Sequence, residues 1–359
     1  MAFSRGDGYF YIMNKRLISL VFFFSAGIVF ALKAQPEQGQ YVPDYDTSYI
    51  RDFRHRFNFS IVAEGKQNTI NALSSSNKII NYQTNLALPN YGFMFSYRWL
   101  NAQLTLPMPG ISYTRPDRGE TRSYAVGLGF TSRKWYFRNF LEYFKGYYMS
   151  NPWIVYPDFI QGVDKLPVYP NMESITYYLT GYYGLNGKKY SHRALLWQSE
   201  MQKKSAGSFL LGFTGAYKNI KSPQAMFISE ELQAGVNEVE YYVAGFNMGY
   251  TYTFAIAGHF NASAMLVPGM TYIFGAYQSD QSIISISENS FGLSGEGRVQ
   301  VFYEKNNFFT GLSYTGYVFT NLITDETKVG STHNYLRLNV GYRFKLRPIK
   351  FLKPLGLSN

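Results

Sequence analysis

Residues 190–217 read YSHRALLWQSEMQKKSAGSFLLGFTGAY, and how this stretch is read decides the fold. Two runs that suit extended strands flank a short charged connection, Glu200-Met201-Gln202-Lys203-Lys204-Ser205-Ala206. In the second run the alternation is regular. Phe209, Leu211, Phe213 and Tyr217 point one way, and Ser208, Leu210, Thr214 and Lys218 point the other. A strand of period two with an aromatic and apolar face opposite a mostly small or polar one sits between two different solvents.

Composition says which solvents. Of 359 residues, 19% are aromatic, with 33 Tyr and 30 Phe, and only 16% are charged. That is aromatic-heavy and charge-poor for a soluble enzyme, yet the average hydropathy is too polar for a helical membrane protein. A transmembrane barrel reconciles the two, because lipid-facing and lumen-facing residues alternate and cancel in any average. With no Cys, the chain has no disulfide, thiol catalysis, cysteine metal site or lipobox-type anchor. The net charge of +11 comes from residues scattered among strands and turns, so it does not point to nucleic acid.

Taken in order, Asn14, Lys15 and Arg16 precede an apolar run over residues 17–32, and Ala34 offers a small residue for cleavage. This predicts a secretory signal peptide over residues 1–34, with Met13 as a start and an upstream extension before it; an anchor helix would need a longer run. Residues 35–54 read as a periplasmic lead-in. Residues 55–345 then repeat one grammar. Phe57, Phe59, Ile61 and Ala63 oppose Asn58 and Ser60; Tyr91, Phe93, Phe95, Tyr97 and Trp99 oppose Gly92, Ser96 and Arg98. Tyr242 to Tyr252 and Leu336 to Phe344 alternate in the same way. No stretch after the signal carries a convincing amphipathic helix, so this is one all-β unit, a transmembrane antiparallel β-barrel.

Short connections near residues 100–101, 132–134, 185–189, 219–222, 255–258 and 304–307 alternate with longer ones near 65–89, 109–120, 146–171, 230–239, 277–289 and 321–332. That suits short periplasmic turns and long outer loops. Keeping the alternation requires a brief strand near residues 225–229 and a compact outer hairpin over residues 201–206. The expected count is then about fourteen strands, or about twelve without the strand at 225–229. The last strand ends in Tyr342-Arg343-Phe344, the aromatic finish of barrels handed to the outer-membrane assembly machinery, and a basic tail follows over residues 346–359.

At Tyr190-Ser191-His192-Arg193-Ala194 and Gln202-Lys203-Lys204-Ser205-Ala206-Gly207-Ser208-Phe209-Leu210-Leu211-Gly212 the chain resembles a Bacteroidota outer-membrane β-barrel family known as a domain of unknown function. Asp46-Thr47-Ser48-Tyr49-Ile50 is similar to that family's opening segment, so the resemblance spans most of the mature chain. His192, where another aromatic is expected, is a mild departure. The resemblance implies location and fold and brings no chemistry with it.

Candidate chemistry is sparse. His55, His192, His259 and His333 fall near strand ends, where surface or girdle histidines are expected, and no catalytic residue is assigned. No HExxH, GxSxG, P-loop or EF-hand pattern is present, and no His and acid cluster has metal-ligand spacing, so neither metal nor cofactor is expected. Arg98, Arg138, Glu142, Arg298, Arg337 and Arg343 fall on expected inner faces. In a narrow barrel they pair with acids and fill the interior; in a wider one they line a cationic pore. The filled reading is favoured. Lys203 and Lys204 are candidates for lipopolysaccharide phosphates, against the simpler reading of a solvated loop. Tyr148, Trp153 and Tyr156 belong to a long aromatic and Pro-rich connection that suits recognition of sugars or proteins, or a loop folded over the barrel mouth.

Three function classes follow. The first is a non-enzymatic outer-membrane barrel with a structural, small-solute or partner-binding role, in contact with outer-membrane lipid and lipopolysaccharide. The second is a barrel-embedded lipid- or peptide-modifying enzyme. The third is a secreted soluble β-sandwich that binds glycans.

Overall fold

A run that alternates apolar with small or polar residues satisfies its backbone by pairing on both edges, and here the pairing continues until the sheet meets itself. The structure, a computed structural model, describes residues 43–73, 78–85, 87–108, 116–229, 234–279, 282–321 and 329–345. The expected signal peptide, the lead-in up to residue 42 and the basic tail lie outside the described residues.

The strands are β1 (Ile50–Asp52), β2 (Phe57–Leu73), β3 (Ile79–Gln83), β4 (Ala87–Tyr97), β5 (Leu100–Pro107), β6 (Arg122–Thr131), β7 (Trp135–Met149), β8 (Val168–Gly184), β9 (Glu200–Gln202), β10 (Ala206–Lys221), β11 (Phe227–Ser229), β12 (Ala234–Val236), β13 (Glu238–Ile256), β14 (Phe260–Ser279), β15 (Ser282–Lys305), β16 (Phe308–Asn321) and β17 (Val329–Phe344). A short helix, α1 (His192–Leu196), lies between β8 and β9. The large sheet has thirteen strands, all antiparallel, and β17 returns to β2 from Val329 opposite Ala72 to Phe344 opposite Phe57. The barrel is therefore closed and has no free edge.

β3 and β4 share one place in that ring, so the wall is twelve strands round. Both pair with β2, β3 at Thr69 to Leu73 and β4 at Asn58 to Lys66. They differ in their other neighbour. β4 meets β5, whereas β3 meets β7 directly at Tyr82 opposite Met149 and Gln83 opposite Tyr148. The hairpin of β5 and β6 is short, and beyond its end the wall narrows from twelve strands to ten. Gly146 sits at this seam with φ of +92°, and an added Cβ would fall 2.0 Å from the Glu120 carbonyl oxygen. Only glycine fits there. Thr121 stitches the seam: its hydroxyl donates to Gly146 O (2.7 Å) and accepts from Asn85 N (3.0 Å).

The outward faces are apolar over the middle of the wall. Phe246 is 83% exposed, Met270 67%, and Met248 and Leu266 66% each, with Phe93, Leu211, Phe291, Leu312 and Leu338 also exposed. A surface of that kind all round a closed sheet is built for hydrocarbon. Near the end where β2 begins and β17 stops, the terminus end, outward aromatics pair across strands: Trp99 with Phe130, Trp135 with Tyr183, Phe209 with Tyr250, and Phe260 with Tyr303. They form a girdle of the type found where membrane meets water.

Tight connections close this terminus end, with left-handed residues at Arg98 (φ 54°), Ala257 (49°), Gly258 (71°) and Asn306 (59°). The longer connections stand at the opposite, loop end. The expected strand near residues 225–229 is not part of the wall. Phe227–Ser229 instead pairs with Ala234–Val236 in a separate two-stranded ribbon between β10 and β13, which leaves twelve strands.

One larger correction concerns residues 190–206. They form neither a lipid-facing strand nor an outer hairpin. The connection from β8 to β10 lies at the terminus end, where β9 pairs with β1 (Ile50 opposite Gln202, Asp52 opposite Glu200). The Ser191 hydroxyl accepts from Ala194 N (3.1 Å), which favours a helical turn over an extended run. Tyr190, Leu195, Trp197 and Gln202 are all buried. Buried residues both apolar and polar, with no exposed face, suit a segment enclosed by protein on every side.

Candidate functional site: a plugged lumen

The connection between β8 and β10 turns into the barrel. Leu195, Leu196 and Trp197 pack on inward residues from around the ring, namely Val62 (β2), Met94 (β4), Tyr136 (β7), Tyr182 (β8), Leu210 (β10) and Met265 and Val267 (β14). Burying three such side chains contributes about 1.5–3 kcal/mol each, enough to hold the segment in place.

Polar contacts fix its pose. Glu200 is fully buried, and Arg133 grips both its oxygens, with Nη1 to Oε2 at 3.0 Å. Arg54 Nε lies 3.4 Å and Arg193 Nε 3.6 Å from Oε1, and the Ser191 hydroxyl donates to Oε2 at 2.6 Å. Arg193 also donates to Arg98 O (2.5 Å) and to Thr131 O, so the plug clips onto two turns of the wall. Burial pulls the Arg193 guanidinium down to about 9, partly offset by Glu200 and reinforced by Arg54 and Arg133. On the other side Arg343 donates to Gln198 O (2.9 Å), pairs with Glu304 (2.8 Å) and lies over the rings of Phe53 (3.8 Å) and Phe309 (4.7 Å).

His192 is in the plug, not at a surface girdle. Its ring lies between Tyr136 (6.2 Å, stacked) and Tyr190 (4.9 Å, edge-on), and neither ring nitrogen has a hydrogen-bond partner. Burial, with the Arg133 charge nearby, pulls it down to about 4, so the docked imidazole is neutral.

Beyond the plug a polar band crosses the lumen. Arg138 pairs with Glu296 (3.0 Å), which also accepts from Tyr182 (2.9 Å) and Tyr317 (3.1 Å). Arg337 pairs with Glu64 (2.5 Å); Lys66 lies 3.4 Å from Glu64 and 3.5 Å from Glu142 and donates to Thr105 (2.6 Å). His333 lies 3.4 Å from Glu142, and both are buried in the lumen rather than at a strand end facing solvent. Between plug and band is a cavity of about 30 Å³ lined by Tyr136, Trp197, Arg298 and Tyr317 among others. That is room for about two water molecules.

Arg138, Glu142, Arg298, Arg337 and Arg343 thus face inward, as expected from strand parity. Arg98 does not. It occupies the left-handed position of the turn after β4 and offers its carbonyl to Arg193. Lys203 and Lys204 are not in an outer loop: Lys203 Nζ donates to Thr47 O (2.8 Å) and Lys204 lies over the Tyr49 ring (5.4 Å), both at the terminus end. Tyr148 is buried in the wall, its hydroxyl donating to Gln83 (3.0 Å). Trp153 and Tyr156 are exposed at the loop end, with Val155, Ile160 and Val163. Sequence reasoning missed Glu64, Lys66, Glu296 and Glu200. The first two share the inward parity of Asn58 and Ser60, and Glu296 that of Arg298, so extending the alternation would have found all three.

Solved structures with similar strand arrangements include the P. putida toluene transporter TodX (9% identity, 85% of this chain and 92% of that one, TM-score 0.29). Others are OmpT, an outer membrane protein of Vibrio cholerae (8%, 84% and 99%, TM-score 0.30), and the beta domain of the Bordetella autotransporter BrkA (10%, 79% and 98%, TM-score 0.32). No curated protein matches the sequence. A family match runs over residues 44–344, from the first described turn to the end of β17 and through the plug; the chain belongs to the family described as "Domain of unknown function (DUF4421)".

Proposed function

We propose that the protein is a non-enzymatic outer-membrane β-barrel, sealed against solute flow by its own β8–β10 insert, which acts through what its loop end presents. The observation that carries this reading is the plug: residues 190–202 are buried inside the ring, and the cavity between them and the polar band holds about 30 Å³. The apolar belt and aromatic girdle support a place in the outer membrane, with the short-turn, terminus end in the periplasm. Export by the signal peptide, insertion by the barrel-assembly machinery and lipopolysaccharide as a neighbour follow from that placement. The Bacteroidota affiliation rests on the Tyr190–Ala194 and Gln202–Gly212 resemblance.

At the loop end Trp153, Val155, Tyr156, Ile160 and Val163 stand exposed on the connection from β7 to β8. These aromatic and aliphatic groups, with exposed Asp158, Gln161, Asp164 and Lys165 among them, suit a protein partner with an apolar centre and a polar rim. Planar-bilayer recording tests the sealed reading. The native protein should give no steady current, since the plug, the polar band and the inward cluster of Tyr82, Tyr147, Tyr178, Tyr241, Phe319 and Tyr335 fill the lumen in succession. A steady current from the native protein would overturn the proposal.

A further inference from the structure

Charges in the band above the plug do not balance among the described residues. Lys66, Arg138, Lys218, Arg298 and Arg337 face inward there against Glu64, Glu142 and Glu296. Arg337, Lys66 and Arg138 are matched to these carboxylates. Lys218 has long contacts to Asn68 (3.4 Å) and His333 (3.5 Å), and a lysine can give up its proton. Arg298 is different. It is 8% exposed, has no carboxylate within ion-pair distance among the described residues, and its Nε has no hydrogen-bond partner. An arginine stays charged, and a buried charge without a counter-ion is strongly disfavoured.

Arg298 lines the 30 Å³ cavity, and the groups that share it are mostly donors with nothing to bond. Trp197 Nε1, Gln103 Nε2 and Arg138 Nε are buried without acceptors, and the Tyr136 and Thr176 hydroxyls without any partner. Glu142 also faces the cavity; its Oε1 has no hydrogen-bond partner, but its charge is opposed by Lys66 at 3.5 Å. A water molecule would satisfy some of these donors and leave the guanidinium charge unopposed. A monovalent anion satisfies the donors and the charge together.

We propose that this cavity binds one small monovalent anion of halide size against Arg298, between the plug and the polar band. The volume admits a halide and excludes phosphate esters and sugar acids. Because Trp197 supplies one donor, the anion bridges plug and wall.

Two measurements on the full chain test this, with bromide as the probe. Crystals grown in sodium bromide should show an anomalous peak within hydrogen-bond distance of the Arg298 guanidinium and Trp197 Nε1; density there without an anomalous signal would mean water and would overturn the proposal. In detergent, the urea midpoint of the native protein should rise with bromide relative to gluconate at equal ionic strength, and Arg298→Met should lose that difference. The same midpoint in both salts for the native protein, or a bromide-dependent midpoint retained by Arg298→Met, would also overturn it. Should Arg298→Met fail to fold, the diffraction result decides alone.

Discussion

Arg133, on the turn before β7, holds both carboxylate oxygens of Glu200, a fully buried residue of the inserted segment. Arg54 and Arg193 complete the shell around that one acid. Removing the acid leaves three guanidinium groups facing one another with less to hold them. Breaking a buried pair on one side costs about 3–5 kcal/mol. Glu200→Gln should therefore loosen the plug while the wall stays folded. Limited proteolysis should cut within residues 185–205 in the variant and not in the native protein. An uncut Glu200→Gln would mean that apolar packing alone holds the plug.

His192 makes plug docking sensitive to acid. The docked imidazole titrates near 4 because burial opposes its charge, against 6.5 for a free one. Between those values the withdrawn plug binds a proton that the docked plug does not, so docking is strongest above pH 6.5 and weakens as pH falls toward 4. The full effect is about 3 kcal/mol at 1.36 kcal/mol per pH unit. Protease sensitivity of residues 185–205 should rise between pH 7.5 and 4.5, and His192→Phe should remove most of that rise. If His192→Phe followed the native pH profile, another group would be responsible.

How far the sequence disclosed this arrangement depends on what each residue faces. On β10 the two solvents differ, and Phe209 and Leu211 against Ser208 and Leu210 made strand and face legible, but not the register with β8 and β13. For residues 190–199 all sides are protein, so no periodicity distinguishes a strand from a folded plug; the Ser191 cap was the one local signal. Glu64 and Lys66 were hidden because β2 runs ten residues past Ala63, where its outward face turns polar. Lys203 and Lys204 were assigned to the wrong end because one uncounted insert reverses the sidedness of every loop that borders it. Arg98 shows the limit of parity itself, since a tight turn ends the alternation one residue before it.

Gly146 is where the wall passes from twelve strands to ten. With φ at +92° and the Glu120 carbonyl 2.0 Å from any added Cβ, Gly146→Ala must shift backbone as well as bear a left-handed strain of about 1–3 kcal/mol. The urea midpoint should fall, and amide exchange should quicken at Asn85, whose N–H donates to the Thr121 hydroxyl that Gly146 O anchors. Gly258→Ala is the control, because its added Cβ meets nothing within 4 Å although its φ is also positive. Equal losses from the two changes would show that conformation matters there and the seam contact does not.

Phe246 tests what the outer surface faces. It is 83% exposed midway along β13, while its neighbour Asn247 points inward to Thr214 (2.7 Å) and Ser294 (3.1 Å). In a water-facing sheet, Phe246→Arg would change stability little, since an exposed position accepts charge. Against hydrocarbon near the bilayer midplane, arginine costs about 2–4 kcal/mol. Folding into vesicles followed by urea titration should show a loss of that size for Phe246→Arg. Arginine placed at Lys305, beside the turn at the terminus end, should be nearly neutral. A neutral Phe246→Arg would remove lipid from the outside of this barrel, and with it the explanation for every exposed aromatic on the outward face.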